Sequence, residues 1–160
     1  MKFYSARTQA EYREVYNLLQ FPRRYYPNFC EWYWEKVIKG IKNGERKIII
    51  AFDENIKAIV GVAIIKIGEE RKICTLFVSK EHRHHGTGTK LMQKAIDYLN
   101  CKTPLFTFPQ ELAEDFKILI VKFGFKFTKA YDGYYKKGEI EYSYNGCLKE
   151  ENMLRELKVA

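Results

Sequence analysis

The sequence predicts a mixed α+β sandwich, a central sheet of about seven strands flanked by about four helices. Three observations carry this. The hydrophobic period switches from helical to strand-like and back several times along the 160 residues. Three consecutive isoleucine- and valine-rich runs lie between Arg46 and Ser79 with only polar turns between them. No linker, repeat or low-complexity stretch interrupts the order, so one domain over residues 1–146 is expected, followed by a charged tail over 147–160.

Lys2 to Ala6 alternates as a short first strand. Thr8-Gln9-Ala10-Glu11 forms a capping box, and Tyr12, Val15, Tyr16 and Leu19 follow at helical spacing. Pro22 and Pro27 bracket a break, after which Asn28 can cap a second helix carrying Phe29, Trp32, Tyr33, Val37 and Ile41. Arg46 to Phe52, Ala58 to Ile67 and Arg71 to Ser79 read as antiparallel strands, turned at Asp53-Glu54-Asn55 and Gly68-Glu69-Glu70. Leu91, Met92, Ala95, Ile96 and Leu99 make the apolar stripe of a central helix. Pro104 to Phe108 is a short strand, and Leu112, Phe116, Leu119, Ile120 and Phe123 mark another helix that stops at Gly124. Phe125 to Tyr131 and Glu139 to Tyr144 are the last strands, joined by a turn at Asp132-Gly133.

Composition narrows the function classes. With 46% hydrophobic and 16% aromatic residues the chain is globular. The longest apolar runs, Ile48 to Phe52 and Ala58 to Ile65, are far shorter than a membrane span of ~20 residues. Met1 to Ala10 lacks the apolar core of a secretory signal, so a soluble, cytoplasmic protein without membrane partners is expected. The formal charge of +8 favours anionic partners without choosing among cofactor phosphates, nucleic acid and acidic protein. Cys30, Cys74, Cys101 and Cys147 lie far apart and form no Cys-x-x-Cys pair, which argues against a zinc site and a disulfide framework. His82, His84 and His85 are adjacent on one loop, poorly placed to converge on a metal; no metal is expected.

The most informative segment runs from Leu76-Phe77-Val78 through the basic loop Arg83-His84-His85 to Gly86-Thr87-Gly88-Thr89 and the central helix. Backbone amides at such a strand-to-helix turn can face a diphosphate, with the helix dipole adding partial positive charge. Arg83 offers a planar donor fork to the same oxygens. A Walker loop is excluded, since no Gly-Lys-Ser/Thr closes the motif, and a dinucleotide fingerprint fails for want of a third glycine and of βαβ units.

Arg83-His84-His85-Gly86-Thr87-Gly88 resembles the Arg/Gln-x-x-Gly-x-Gly/Ala motif of the GNAT N-acetyltransferase superfamily. Lys122-Phe123-Gly124-Phe125 looks like the family's Gly-Phe turn, and the element order is similar from Met1 to Tyr144. The resemblance implies the GNAT fold, with acetyl-CoA between the strands Arg71 to Ser79 and Pro104 to Phe108. The pyrophosphate would rest on Arg83, His84, His85, Gly86, Thr87, Gly88 and Thr89, and the pantetheine along Leu76, Phe77 and Val78. An amide near Phe77 or Val78 would polarise the thioester carbonyl, and an amine would attack directly, with none of the cysteines as nucleophile.

Direct transfer needs a proton acceptor for the ammonium and a proton donor for the thiolate. Many relatives take the acid from a tyrosine in a Leu-Tyr-Glu-Lys-Leu-Gly-Phe pattern; that column falls on Ile120 here, which cannot donate. Tyr131, Tyr134, Tyr135 and Tyr142 are the alternatives, with Tyr135 the choice for the acid and Glu70 for the base. The acceptor is expected to be an amine on a small molecule or protein. An aminoacyl-tRNA acceptor, a non-catalytic acyl-CoA-binding module and a homodimer all stay open.

Overall fold

The computed structural model describes residues 1–20 and 22–149. Seven strands form one sheet in the order β1-β2-β3-β4-β5-β7-β6. They are β1 (Lys2–Ser5), β2 (Arg46–Asp53), β3 (Ala58–Lys66), β4 (Lys72–Val78), β5 (Leu105–Pro109), β6 (Phe127–Asp132) and β7 (Ile140–Tyr144). Helix α1 (Gln9–Leu18) opens with the expected reciprocal cap: the Glu11 amide donates to Thr8 Oγ1 and the Thr8 amide to Glu11 Oε2. Helix α2 runs from Phe29–Glu31 through a wider π-helical stretch, Trp32–Ile38, to Lys39–Lys42. Asn28 precedes it without making a side-chain cap. Helices α3 (Thr87–Leu99) and α4 (Ala113–Phe123) complete the set. The α+β arrangement read from the sequence, one seven-stranded sheet flanked by helices, is therefore present.

The inner strands β2 and β3 are buried on both faces. Ile48, Ile50, Val62 and Ile64 pack against α1 and α2 through Val15, Leu19, Tyr33 and Val37. The alternate residues Ile49, Ala63, Ile65 and Ile73 pack on the other face against α3 through Leu91, Met92, Ala95 and Leu99. This explains the near-continuous apolar runs of the inner strands, each side chain being buried whichever way it points. Gly61 of β3 lets α3 approach closely: a Cβ there would lie 3.0 Å from Leu91 Cδ1 and 3.3 Å from both Ala51 Cβ and the Phe77 carbonyl. Helix α4 sits less deeply than its stripe predicts: the stripe residues are only partly buried, and Ile118 and Val121, outside the stripe, are 72% and 76% exposed.

The domain reaches past the expected boundary at residue 146. Leu148 is buried with Leu105 and Tyr134, its amide donates to Tyr131 Oη at 2.8 Å, and Tyr134 Oη donates to the Lys149 carbonyl at 2.8 Å. The rest of the expected tail, residues 150–160, lies outside the described residues.

Candidate active site

Strands β4 and β5 run parallel but pair only through Lys72 with Leu105 and Ile73 with Phe106. Beyond Ile73 they separate, leaving a cleft that opens toward Val78 and Pro109. The local cause is a bulge. Ile64 faces Thr75 and Ile65 faces Ile73, so Cys74 is an extra residue in β4 and bends that strand away. The Ser79 amide donates to the Val60 carbonyl of β3, so strand alternation turns the Phe77 amide to β3 and those of Leu76 and Val78 into the cleft. Of the two positions the sequence offered for an oxyanion donor, Val78 is the one whose N–H has the right direction.

At the mouth of the cleft the chain turns into α3. Gly86 takes φ +81°, a left-handed conformation that glycine adopts without strain, and no side chain caps the helix. The first intrahelical bond, Lys90 amide to Gly86 carbonyl, leaves the amides of Thr87, Gly88 and Thr89 pointing out of the helix start. No acidic residue sits in that first turn. Such an end is suited to a diphosphate. His84, itself at φ +63°, and His85 are exposed beside it.

Arg83 and His82 have structural duties as well. Arg83 Nε donates to the Val78 carbonyl at 2.9 Å, and its Nη1 lies 3.8 Å from Asp115 of α4, tying the end of β4 to that helix. The Val78 carbonyl is thus already taken. His82 sits between Ser79 Oγ at 2.9 Å and Asp53 Oδ2 at 3.2 Å, which fixes the loop to the β2–β3 turn. Among the described residues, no three His, Cys, Asp or Glu side chains gather as a metal site.

On the sheet face turned to α1 and α2, a polar cluster lines the split between the strands. Glu141 of β7 is 4% exposed. It accepts from Tyr26 Oη at 2.9 Å and from the Thr107 hydroxyl of β5. Burial pushes its carboxyl up to about 7, against the pull of Tyr26, Lys72 and Thr107. Burial, with Glu141 and Tyr135 adding, holds the Tyr26 phenol well above its ordinary range. Lys72 Nζ donates to Tyr135 Oη at 3.3 Å, and the Tyr26 and Tyr135 rings meet edge-on at 5.1 Å.

The residues predicted from sequence divide on this geometry. Leu76, Phe77 and Val78 flank the cleft, and residues 83–89 form its mouth. Tyr135 belongs to the polar cluster, whereas Tyr131 and Tyr134 bind Leu148 and Lys149, and Tyr142 Oη accepts from Gln110 Nε2 at 2.7 Å. Ile120 packs against the apolar core. Glu70 lies apart from the cleft. It pairs with Lys66 at 3.2 Å in the β3–β4 turn and borders an open depression with Arg71, Cys101 and Cys147, on the far side of the Lys72–Ile73 pairing from the cleft. The turn places it at the closed end of the wedge.

Sequence reasoning missed Glu141 and Tyr26. Their signal was weak: Ile140-Glu141-Tyr142-Ser143-Tyr144 reads as an ordinary half-exposed strand. Only the insertion of β7 between β5 and β6 buries that polar face.

A family model described as "Acetyltransferase (GNAT) family" matches residues 7–108. Among curated proteins no sequence matches significantly. Solved structures similar to this chain include an acetyltransferase assigned to the GNAT family from Desulfovibrio desulfuricans, with TM-score 0.71 and 13% identity, covering 89% of this chain and 96% of that one. A variant of the spermidine N-acetyltransferase SpeG from Vibrio cholerae gives 0.65 and 18%, covering 97% and 99%. An aminoglycoside 6'-N-acetyltransferase complexed with coenzyme A gives 0.63 and 15%, covering 93% and 99%.

Proposed function

The chain belongs to the GNAT acetyltransferase family, and on that premise we propose that it transfers an acetyl group from acetyl-CoA directly to an amine. The observation that carries this reading is the wedge between β4 and β5, closed at the pairs of Lys72 and Ile73 and opening toward the uncapped start of α3. A long ligand with a diphosphate at one end and a thioester at the other matches both features. The amides of Thr87, Gly88 and Thr89 would hold the diphosphate, and the inward amides and carbonyls of β4 the amide groups of the pantetheine arm. Acetyl-CoA supplies an activated acyl carbon. A β4 amide that faces the cleft, that of Leu76 or Val78, would donate to its carbonyl oxygen as negative charge develops there.

Tyr135 would give a proton to the departing sulfur. Of the four tyrosines weighed for that role, it is the one placed beside β4 through Lys72. That two similar folds are named for acting on spermidine and an aminoglycoside is consistent with an amine acceptor. Calorimetric titration with acetyl-CoA, followed by thiol release on a panel of amines, tests the reading. Saturable binding with release of free thiol is expected, and a folded protein that binds no acetyl-CoA would refute it.

A further inference from the structure

Glu141 sits where a carboxylate is costly. A carboxylate 4% exposed on an inner strand is unfavourable unless it is paired, and its partners are two hydroxyls and one lysine that also serves Tyr135. An apolar side chain at this position would fill the space without that penalty. Three separate elements converge on it: the loop before α2 through Tyr26, β5 through Thr107 and β4 through Lys72. The last two strands are the walls of the cleft.

We propose that Glu141 is the final proton acceptor for the acceptor ammonium, reached through the hydroxyl of Tyr26, and that the acceptor presents a single positive charge. This rests on the acetyl-transfer reading and deepens it. The ammonium gives one proton to Tyr26 Oη as the phenolic proton passes to Glu141 Oε1, so Tyr26 ends as it began and the glutamate becomes neutral. The freed nitrogen lone pair forms the bond to the acetyl carbonyl carbon. The carbon–sulfur bond then breaks, sulfur leaving with its electron pair and taking the proton of Tyr135, which regains one from the nitrogen. The products are the amide, the thiol of coenzyme A and one proton, which Glu141 returns to solvent.

The titratable groups facing Glu141 suit this task. Tyr26 stays protonated at neutral pH and can pass a proton without ionising, and a carboxyl that titrates near 7 alternates readily between its two forms. Cys74 of β4 adjoins Tyr26 on the same side. Lys72 sets the acceptor class, since a fixed cation beside one carboxylate repels a second positive charge on the ligand.

The test compares wild type with Glu141→Gln and Tyr26→Phe in calorimetric acetyl-CoA binding and in kcat against pH, with 2-phenylethylamine and spermidine among the amines. Both variants are expected to keep the wild-type Kd for acetyl-CoA. Glu141→Gln should lose about 100-fold in kcat near pH 7, recovering as alkaline pH deprotonates the amine in solution, with the acid limb of the wild-type profile gone. Tyr26→Phe, which breaks the same relay, should also be slow near pH 7 and recover at alkaline pH. An unchanged acid limb in Glu141→Gln, alongside normal acetyl-CoA binding and turnover, overturns the proton route and leaves acetyl transfer standing. Faster turnover of spermidine than of the monoamine overturns the single-charge assignment. Absent acetyl-CoA binding in folded wild type overturns both readings.

Discussion

Tyr26 and Glu141, 115 residues apart in sequence, meet at 2.9 Å. The contact joins the loop before α2 to the strand that sits inside the C-terminal part of the sheet, and it closes one side of the cleft between β4 and β5. The same loop also meets the β6–β7 connection, through the Tyr26–Tyr135 ring contact and the bond from Lys136 Nζ to the Arg24 carbonyl.

The same contact makes stability depend on pH. The folded carboxyl of Glu141 titrates near 7 against an ordinary value of 4.5, so the fold favours its protonated form. Its contribution is complete below pH 4.5 and is lost as pH rises through about 7. Glu141→Gln, which cannot ionise, should therefore gain on wild type by about 3 kcal/mol between pH 4.5 and pH 8. Urea unfolding at those two pH values measures the difference, and a constant gap would show that Glu141 titrates normally.

Lys72→Met removes the cation that favours the Glu141 carboxylate, so the glutamate should titrate at higher pH. The acid limb of kcat/KM should move to higher pH, and Tyr135 should lose its 3.3 Å donor. An acid limb that moves the other way would contradict the arrangement.

Gly86 and Gly88 look equivalent in sequence and are not equivalent in structure. At φ +81°, Gly86→Ala carries about 1–2 kcal/mol of backbone strain. A Cβ on Gly88 would make ordinary contacts, 3.7 Å to Leu119 Cδ1 and 3.8 Å to Val78 Cγ2. Gly88→Ala should keep the wild-type melting temperature while Gly86→Ala loses several degrees, as thermal unfolding would show.

Gly61→Ala pushes on Leu91, which is fully buried and has no room to retreat. The expected loss is about 1–3 kcal/mol. Because Leu91 lies one turn into α3, displacing it also moves the amides of Thr87 to Thr89. Weaker acetyl-CoA binding by calorimetry should accompany the loss of stability.

How much of this could be read beforehand follows from how local each feature is. Thr8 and Glu11 act within one helical turn, so the cap over Gln9–Leu18 was plain from four residues. The strand, loop and helix around Gly86 are likewise contiguous, and the mouth of the cleft was legible for that reason. Strand ends moved by a residue or two, as with β6, which starts at Phe127 because Phe125 turns into the core instead. Glu70 lies away from the cleft, and a glutamate before a central strand gives no hint of which end of that strand the cleft occupies. Glu141 was invisible because its burial depends on strand order, and its partners come from β4, β5 and a loop over a hundred residues away. The exposed Ile118 and Val121 show the converse, an apolar helix pattern wider than the surface it covers.

The pairing of β4 with β5 through two residues on each strand divides the sheet into two panels that share a short seam. One panel is built from β1 to β4, of which β2, β3 and β4 follow one another through short turns, and the other from β5, β7 and β6. Main-chain pairing therefore joins the panels at one end only, so the ladders on either side form two separate hydrogen-bonded units, and the bulge at Cys74 lies beside their junction.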